Sequence, residues 1–576
     1  MDRLTDSGKA MLKDRYLLPN EDCISLFKRV ANAYGSNLDH ASRILYYMQK
    51  CWFMPATPIL SNGGTNRGLP ISCFTNEAND SLSGIVDLWN ENIWLAARGG
   101  GIGSYWGNLR SIGEKIGVSG RTSGIIPFIA VQNSLTLAIS QGSLRRGSSV
   151  VYLPVSHPEI EEFIDLRKPT GGDPNRKALN LHNGVVITDK FMQAVENDDP
   201  WDLVSPLDNT IVRTIGARQI WIRILTARVE IGEPYILFID SVNDKKPELY
   251  KRLNLDIKTS NLCSEITLTT GLDHKNKERT GVCCLSSVNL TYFDEWENNE
   301  IFIEDIMRFL DNVLQDFIDR APSSMERAKY AATRERSIGL GVMGLHSMLQ
   351  KKMIPFDSVI TKVLNKKIFS FIAKQADLAS KKLAAEKGPC LDAIDAKLNE
   401  RFTHKTAIAP TASISIIAGN SSPGIEPYIS NAFTQKTLSG SFPIKNPYLK
   451  SLLQERGEDN DAVWSSITTN DGSVQHLSFL TEFEKSVFKT AYELDQRIII
   501  ELAADRTPFI CQAQSVNIFL PATVSKRYLH KLHEYAWKKG VKSLYYCRSM
   551  SIQRADKVSH SITEEPKKYE ECLYCQ

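Results

Sequence analysis

An α/β protein with a helical N-terminal domain and a polar carboxyl-terminal arm is the fold class this chain predicts, on three observations. Short continuous apolar runs, among them Ser149-Val150-Val151-Tyr152-Leu153, Gly184-Val185-Val186-Ile187 and Tyr235-Ile236-Leu237-Phe238, recur between Pro55 and about Leu520. Such runs suit strands buried on both faces of a parallel sheet. Helical stretches rich in Lys and Ala (362–387) or in Glu (481–504) punctuate the second half. The runs are too many and too scattered for a small open sheet, so the pattern points to a closed or barrel-like architecture.

Taken in order, the first 55 residues carry apolar positions at helical spacing (Ile24, Phe27, Val30, Ala31, Tyr34, then Ala41, Ile44, Leu45, Met48), which predicts a small helical domain over 1–55. The α/β body is expected over 56–555. Residues 556–576 combine charge with few large apolar groups and read as a flexible arm. With 576 residues, 42% hydrophobic and 23% charged, the chain has the composition of a globular protein with a substantial core. Its net charge of +3 is spread without a long Lys or Arg block, so nucleic acid is not expected as a partner. No apolar run follows Met1 as a signal peptide would, and none reaches the ~18 residues of a membrane span, so a cytoplasmic location without a membrane partner is expected. In that reducing compartment the 11 cysteines read as reduced, catalytic or buried thiols.

Asn261-Leu262-Cys263-Ser264-Glu265 sets an amide, a thiol and a carboxylate at alternating positions, which in an extended segment point to one side. Cys263 can then lose a hydrogen atom or a proton, Glu265 can shuttle protons and Asn261 can hold a hydroxyl. A strand with a buried Cys and an edge Glu accounts for the same residues. Cys572-Leu573-Tyr574-Cys575 places a dithiol on the polar arm, able to carry electrons to buried cysteines at Cys73, Cys263, Cys283 and Cys284. The same spacing suits half of a zinc site, but no second Cys-x-x-Cys or close His pair offers the other ligands, and no metal is expected. Pro410-Thr411-Ala412-Ser413-Ile414 precedes a helix expected over 414–418, where amides and dipole favour an anion; capping by Thr411 or Ser413 is the plainer account. Gly99-Gly100-Gly101-Ile102-Gly103 lacks the spacing of a dinucleotide-binding turn.

Pro55-Ala56-Thr57-Pro58-Ile59-Leu60, Ser72-Cys73-Phe74, the 261–265 segment, Gly281-Val282-Cys283-Cys284-Leu285-Ser286, Ala409-Pro410-Thr411-Ala412-Ser413 and Gly424-Ile425-Glu426-Pro427 occur in the order and approximate spacing of the catalytic subunit of ribonucleotide reductase. The chain resembles that family over nearly its whole length. The resemblance implies a ten-stranded α/β barrel with Cys263 on a central loop. It implies that Cys263 forms the thiyl radical that removes the 3′ hydrogen of a ribonucleotide, while Asn261 and Glu265 bind the 2′ and 3′ hydroxyls and move protons. Cys73 and Cys283 match the pair that reduces the 2′ carbon and becomes a disulfide; Cys284 is adjacent, and the Val-Cys-x-Leu-Ser alignment favours Cys283. Cys572 and Cys575 resemble the tail pair that reduces this disulfide and is restored by thioredoxin or glutaredoxin. Thr57, Ser72, Gly100 and the stretch Pro410, Thr411, Ala412, Ser413 and Ile414 match further substrate contacts.

By the same resemblance, Asp80-Ser81-Leu82, Arg110 and the Gly113-to-Gly124 loop match a specificity site for a deoxynucleoside triphosphate or ATP near a homodimer interface. Gln141, Arg145 and Arg146 lie in the loop that passes the effector's identity to the substrate base, and its glycines allow it to change shape. Tyr545 and Tyr546 resemble the pair through which class I enzymes receive a radical from a metal-bearing small (beta) subunit, in which case this chain binds no cofactor. Relatives that use adenosylcobalamin carry similar pairs, which keeps that cofactor as the alternative. An inactive nucleotide-binding regulatory homologue is the reading of another class, opposed by retention of Cys73, Cys263, Cys283 and the tail dithiol. Many relatives begin with an extra nucleotide-binding cone; the helical domain starts at once here, so the overall activity switch is expected to lie outside this chain.

Overall fold

The structure, a computed structural model, describes residues 3–118, 120–141, 145–437, 440–521 and 524–549. Three helices come first: α1 (Asp6–Arg15), α2 (Cys23–Tyr34) and α3 (Leu38–Gln49). Each starts on a side chain, Thr5, Asp22 or Asn37, that accepts the amide N–H three residues on and so satisfies a donor the helix cannot. The stripe Leu26, Phe27, Val30, Ala31 and Tyr34 of α2 and Ile44, Tyr47 and Met48 of α3 is buried, as the helical spacing predicts. Phe53–Pro55 then pairs antiparallel with 286–288 and ties the helices to the main sheet.

Five strands lie side by side, every pair parallel: β1 (Cys73–Glu77), β2 (Gly101–Tyr105), β3 (Ser148–Pro154), β4 (His182–Ile187) and β5 (Tyr235–Phe238). A second parallel set begins with β6 (Gly281–Asn289) and β7 (Ile338–Met343). It continues through the bridges Leu340 to Thr406 and Ile408 to Gln514, and through Ile518–Leu520 on Cys547–Ser549. The two sets meet at antiparallel seams, β6 on β1 and Ser543–Leu544 on β5. Followed strand to strand, the ladder returns to its start, so ten strands form a closed cylinder. The predicted apolar runs are β3, β4 and β5; the helix Phe302–Arg320 packs outside β6 and β7, and the loop that carries Cys263 lies inside, against β2 and β3.

Two local expectations change. The Lys- and Ala-rich stretch is one helix, Val359–Lys387, but the Glu-rich stretch is cut into Glu482–Val487, a 3-10 turn Ala491–Glu493 and Gln496–Arg506. Thr481 with Glu484, and Thr490 with Glu493, form reciprocal caps that begin a new element each time. The Gly113-to-Gly124 loop contains a small hairpin, Lys115–Ile116 on Gly120–Arg121. Among the described residues no helix is long and apolar enough to cross a membrane.

Candidate active site

The loop over 259–270 is held from both halves of the barrel. A Cβ on Gly103 of β2 would lie 1.8 Å from the Ser260 carbonyl oxygen, so only glycine lets the loop pass there. Tyr152 of β3 donates to the Asn261 carbonyl (3.2 Å) and shares a hydrogen bond with Ser264 Oγ (2.9 Å). From the other side Ser515 Oγ donates to the Cys263 carbonyl (2.6 Å), and the Ala513 amide to the Glu265 carbonyl (2.9 Å).

The extended geometry expected for 261–265 is not what forms. Ser264 N–H bonds to the Asn261 carbonyl (3.2 Å) with Ser264 at φ +62°, and Asn261 Oδ1 accepts from the amides of Glu265 (3.2 Å) and Ile266 (3.1 Å). An Asn side chain that satisfies nearby amides competes with the strand ladder, and here it folds the segment into a turn. The turn, not strand alternation, gathers the amide, thiol and carboxylate. Asn261, Cys263 and Glu265 are all buried. Glu265 Oε2 accepts a long bond from Ser515 Oγ (3.4 Å). Neither Asn261 Nδ2 nor Glu265 Oε1 has a hydrogen-bond partner among the described residues. Burial pushes the Glu265 carboxyl up to about 7, against the pull of those neighbours. Leaving two such atoms unpaired costs about 1–3 kcal/mol each, which points to a ligand that supplies hydroxyls.

Cys73 and Cys283 are direct partners across the β1–β6 seam. Opposed residues of an antiparallel pair stand within disulfide range. Burial raises the Cys283 thiol well above its ordinary range, and the nearby Cys73, Cys284 and Glu265 add to this. Cys284, one residue on, faces the other side of the strand, where Asp311 of the outer helix Phe302–Arg320 bears on it. The geometry thus separates the two adjacent cysteines.

Ser72 Oγ stands 4.0 Å from Cys73 Sγ, and a Cβ on Gly100 would meet the Phe74 ring at 2.9 Å. Thr57 opens the helix Thr57–Asn62 and its hydroxyl lies 3.1 Å from Tyr16 OH at the end of α1. After Pro410, Thr411 takes φ +56° and its hydroxyl accepts from the Gly424 amide (2.7 Å) instead of capping the helix Ala412–Ile417. The helix therefore starts two residues earlier than expected, and capping by Thr411 does not account for the motif. Its first-turn amides, those of Ala412, Ser413 and Ile414, have no intrahelical acceptor. Ala412 packs against the buried cluster that contains Cys263, Leu262 and Tyr545.

In that cluster the Tyr545 and Tyr546 rings are 4.3 Å apart, and Tyr235 lies 4.7 and 5.1 Å from them. Tyr546 OH reaches His182 Nδ1 (3.4 Å), which also contacts Glu233 Oε1 (2.6 Å). Sequence motifs did not flag Tyr235, His182, Tyr152, Ser515 or Gln512; each sits in an ordinary apolar or polar run. On the outer face, Asp80 pairs with Arg110 (Nη2 to Oδ2, 2.8 Å) and Ser81 caps the helix Leu82–Ala97. Gln141 and Arg145 are backbone partners in a two-residue ladder; residues 142–144, and Cys572 and Cys575, lie outside the described residues. Among the described residues His274, Asp392 and Asp395 stand at metal-like spacing, but Arg279, Arg334 and Lys275 already pair with those carboxylates.

The family model of the ribonucleotide reductase barrel domain matches residues 71–397 and 391–547, and that of the ribonucleotide reductase all-alpha domain matches residues 2–68. The chain is 40% identical to the ribonucleoside-diphosphate reductase large subunit of Invertebrate iridescent virus 3, over 99% of this chain and 98% of the relative. It is 42% identical to a putative ribonucleoside-diphosphate reductase large subunit of Frog virus 3 (isolate Goorha), over 100% and 98%. The solved Actinobacillus ureae class Id ribonucleotide reductase alpha subunit matches with a TM-score of 0.85 at 34% identity, covering 96% of this chain and 98% of that one. By sequence, by barrel and by N-terminal helices, this chain belongs to the ribonucleotide reductase large-subunit family.

Proposed function

We propose that this chain is the catalytic subunit of a class I ribonucleoside-diphosphate reductase. The observation that carries the reading is the unpaired amide of Asn261 and carboxylate oxygen of Glu265, buried beside the Cys263 turn and close to the Cys73–Cys283 pair. Cys263, as a thiyl radical, takes the 3′ hydrogen of the ribose. Glu265 accepts the 3′ hydroxyl proton and Asn261 holds a hydroxyl. The 2′ hydroxyl leaves as water, Cys73 and Cys283 supply two electrons and become a disulfide, and Cys263 returns the hydrogen to C3′. The first-turn amides after Thr411 bind the phosphates, and Thr57, Ser72 and Gly100 make further substrate contacts. The site stays shut to water, which protects the radical.

Residues 1–55 form the helical domain, 56–555 the barrel and 556–576 a redox arm whose Cys572 and Cys575 reduce the disulfide and are recharged by thioredoxin or glutaredoxin. Asp80, Ser81, Leu82 and Arg110 bind a dNTP or ATP effector beside a homodimer interface, and Gln141, Arg145 and Arg146 pass the signal to the substrate base. The protein works in the cytoplasm. The radical comes from a separate small subunit through Tyr546 and Tyr545, which the likeness to the class Id alpha subunit supports over adenosylcobalamin. The test is deoxycytidine diphosphate formation by the purified chain from cytidine diphosphate with an effector and a thioredoxin system. Product is expected only when a radical-generating small subunit is added. Turnover of the chain alone with adenosylcobalamin would overturn the class I reading.

A further inference from the structure

Gln512 is fully buried two residues before Gln514, the partner of Ile408, and its amide donates to the Thr406 carbonyl (3.1 Å). Its Nε2 lies 3.2 Å from Cys283 Sγ and 3.2 Å from the Ile338 carbonyl oxygen, and its Oε1 accepts the Thr267 amide at 3.2 Å. The orientation of the amide is therefore fixed by its partners. Thr267 N–H can only donate and the Ile338 carbonyl can only accept, so exchanging O and N would set donor against donor and acceptor against acceptor. An N–H is held on the sulfur. The backbone beneath is pinned too: buried Lys542 Nζ donates to the carbonyls of Ile510 (3.2 Å), Cys511 (3.0 Å) and Gln512 (2.6 Å).

We propose that Gln512 is a further catalytic residue, whose side-chain N–H stabilises Cys283 sulfur as a thiolate when the Cys73–Cys283 disulfide is reduced. The inference rests on the reading of those two cysteines as the redox pair. Cys73 is 5% exposed and Cys283 1%, so an incoming dithiol meets Cys73 first. A thiolate of the reductant forms a bond to Cys73 Sγ, the Cys73–Cys283 bond breaks, and the bonding pair leaves on Cys283 Sγ, which then takes a proton. The second thiol of the reductant displaces Cys73, leaving two thiols in the site and a disulfide on the reductant. The leaving sulfur emerges where burial disfavours a charge, and the rate of exchange depends on how well that leaving thiolate is stabilised.

The experiment uses the full chain with its small subunit and substrate. One turnover without external reductant comes first, and alkylation with mass spectrometry reads which cysteines have been oxidised. If Cys73 and Cys283 are not the pair, the redox reading itself falls. If they are, reduction of that disulfide by dithiothreitol is timed from pH 6 to 9 in the wild type, Gln512→Met and Gln512→Glu. Gln512→Met keeps length and removes the donor, and is expected to slow reduction about ten- to a hundredfold, the span of one hydrogen bond to a charged group. Gln512→Glu keeps the acceptor for Thr267. Its rate relative to wild type is expected to recover as pH falls, because a protonated carboxyl again offers a donor to sulfur, a response a packing role would not give. Wild-type reduction rates in both variants overturn the proposal, as does a Gln512→Glu deficit that is flat with pH. If Gln512→Met does not fold, Gln512→Glu alone decides.

Discussion

At Glu265 burial, which disfavours the carboxylate, competes with the Asn261 and Ser515 side chains, which favour it; burial wins and leaves the group near 7. A base of that strength is poised for proton transfer at neutral pH. On the proposed role of Glu265 as the base, its active form is the carboxylate, present above about 7, so single-turnover product formation is expected to fall as pH drops through that value. In Glu265→Gln the rate should drop by about 10²–10⁴ and that acidic limb should vanish, since no group remains there to titrate. Rapid-quench assays from pH 6 to 9 read both; a variant with an unchanged limb assigns it to another group. The sign for stability is opposite. Because the folded carboxyl sits above its ordinary 4.5, the fold holds that proton more tightly than the unfolded chain, and this group's contribution is lost as pH rises from about 4.5 to about 7.

Among the elements, what was legible in the sequence follows from how local each signal is. Helices α2 and α3 show their burial as a stripe of Leu, Phe and Val, and β3 to β5 as unbroken apolar runs, because the pattern lies within the element itself. The closing segments around Thr406–Ile408 and 514–520 contribute single bridges or three-residue strands, too short to carry a period. The turn at 261–265 was missed for a related reason: Asn261 caps two amides, and alternation cannot reveal that. Gln512 and Ser515 gain their meaning only from contacts with residues some 230 to 250 positions away. Gly103 is a further case, an unremarkable strand glycine until the loop crosses it at a distance that leaves no room for a methyl group. Gly103→Ala is expected to lower stability by about 1–3 kcal/mol, the cost of forcing a packed interior apart. Activity should fall further than stability does, because the displaced atoms belong to Ser260 and Asn261 at the root of the Cys263 turn. Thermal melts beside kcat measurements test this, and an active, destabilised variant would show that the turn tolerates the shift.

For the whole molecule, closure of the barrel sets the problem that the rest of the chain must solve. Cys263 is buried behind two five-stranded walls, so in the proposed mechanism an oxidising equivalent has to cross protein to reach it. Tyr546 is partly exposed and touches His182, Tyr545 is fully buried, and their rings lie 4.3 Å apart, tilted by 51°, in and against the cluster that holds Cys263. Phenols can give up an electron and a proton together, and two adjacent rings divide a path too long for one step. Fixed walls hold those rings in place, since the Tyr545 amide bonds to the Val516 carbonyl (2.8 Å), the Tyr546 amide to Asn517 Oδ1 (3.0 Å), and buried Arg228 donates to the Tyr545 carbonyl (3.0 Å). Tyr545→Phe and Tyr546→Phe keep the ring and the backbone bonds and remove only the hydroxyl, so each should cost no more than about 0.5–1.5 kcal/mol in stability. Multiple turnover with the small subunit should nonetheless fall to background in both, while effector and substrate still bind. Packing and relay make opposite forecasts here: near-wild-type turnover in the two Phe variants would leave the tyrosines as core residues and require another route for the radical to Cys263.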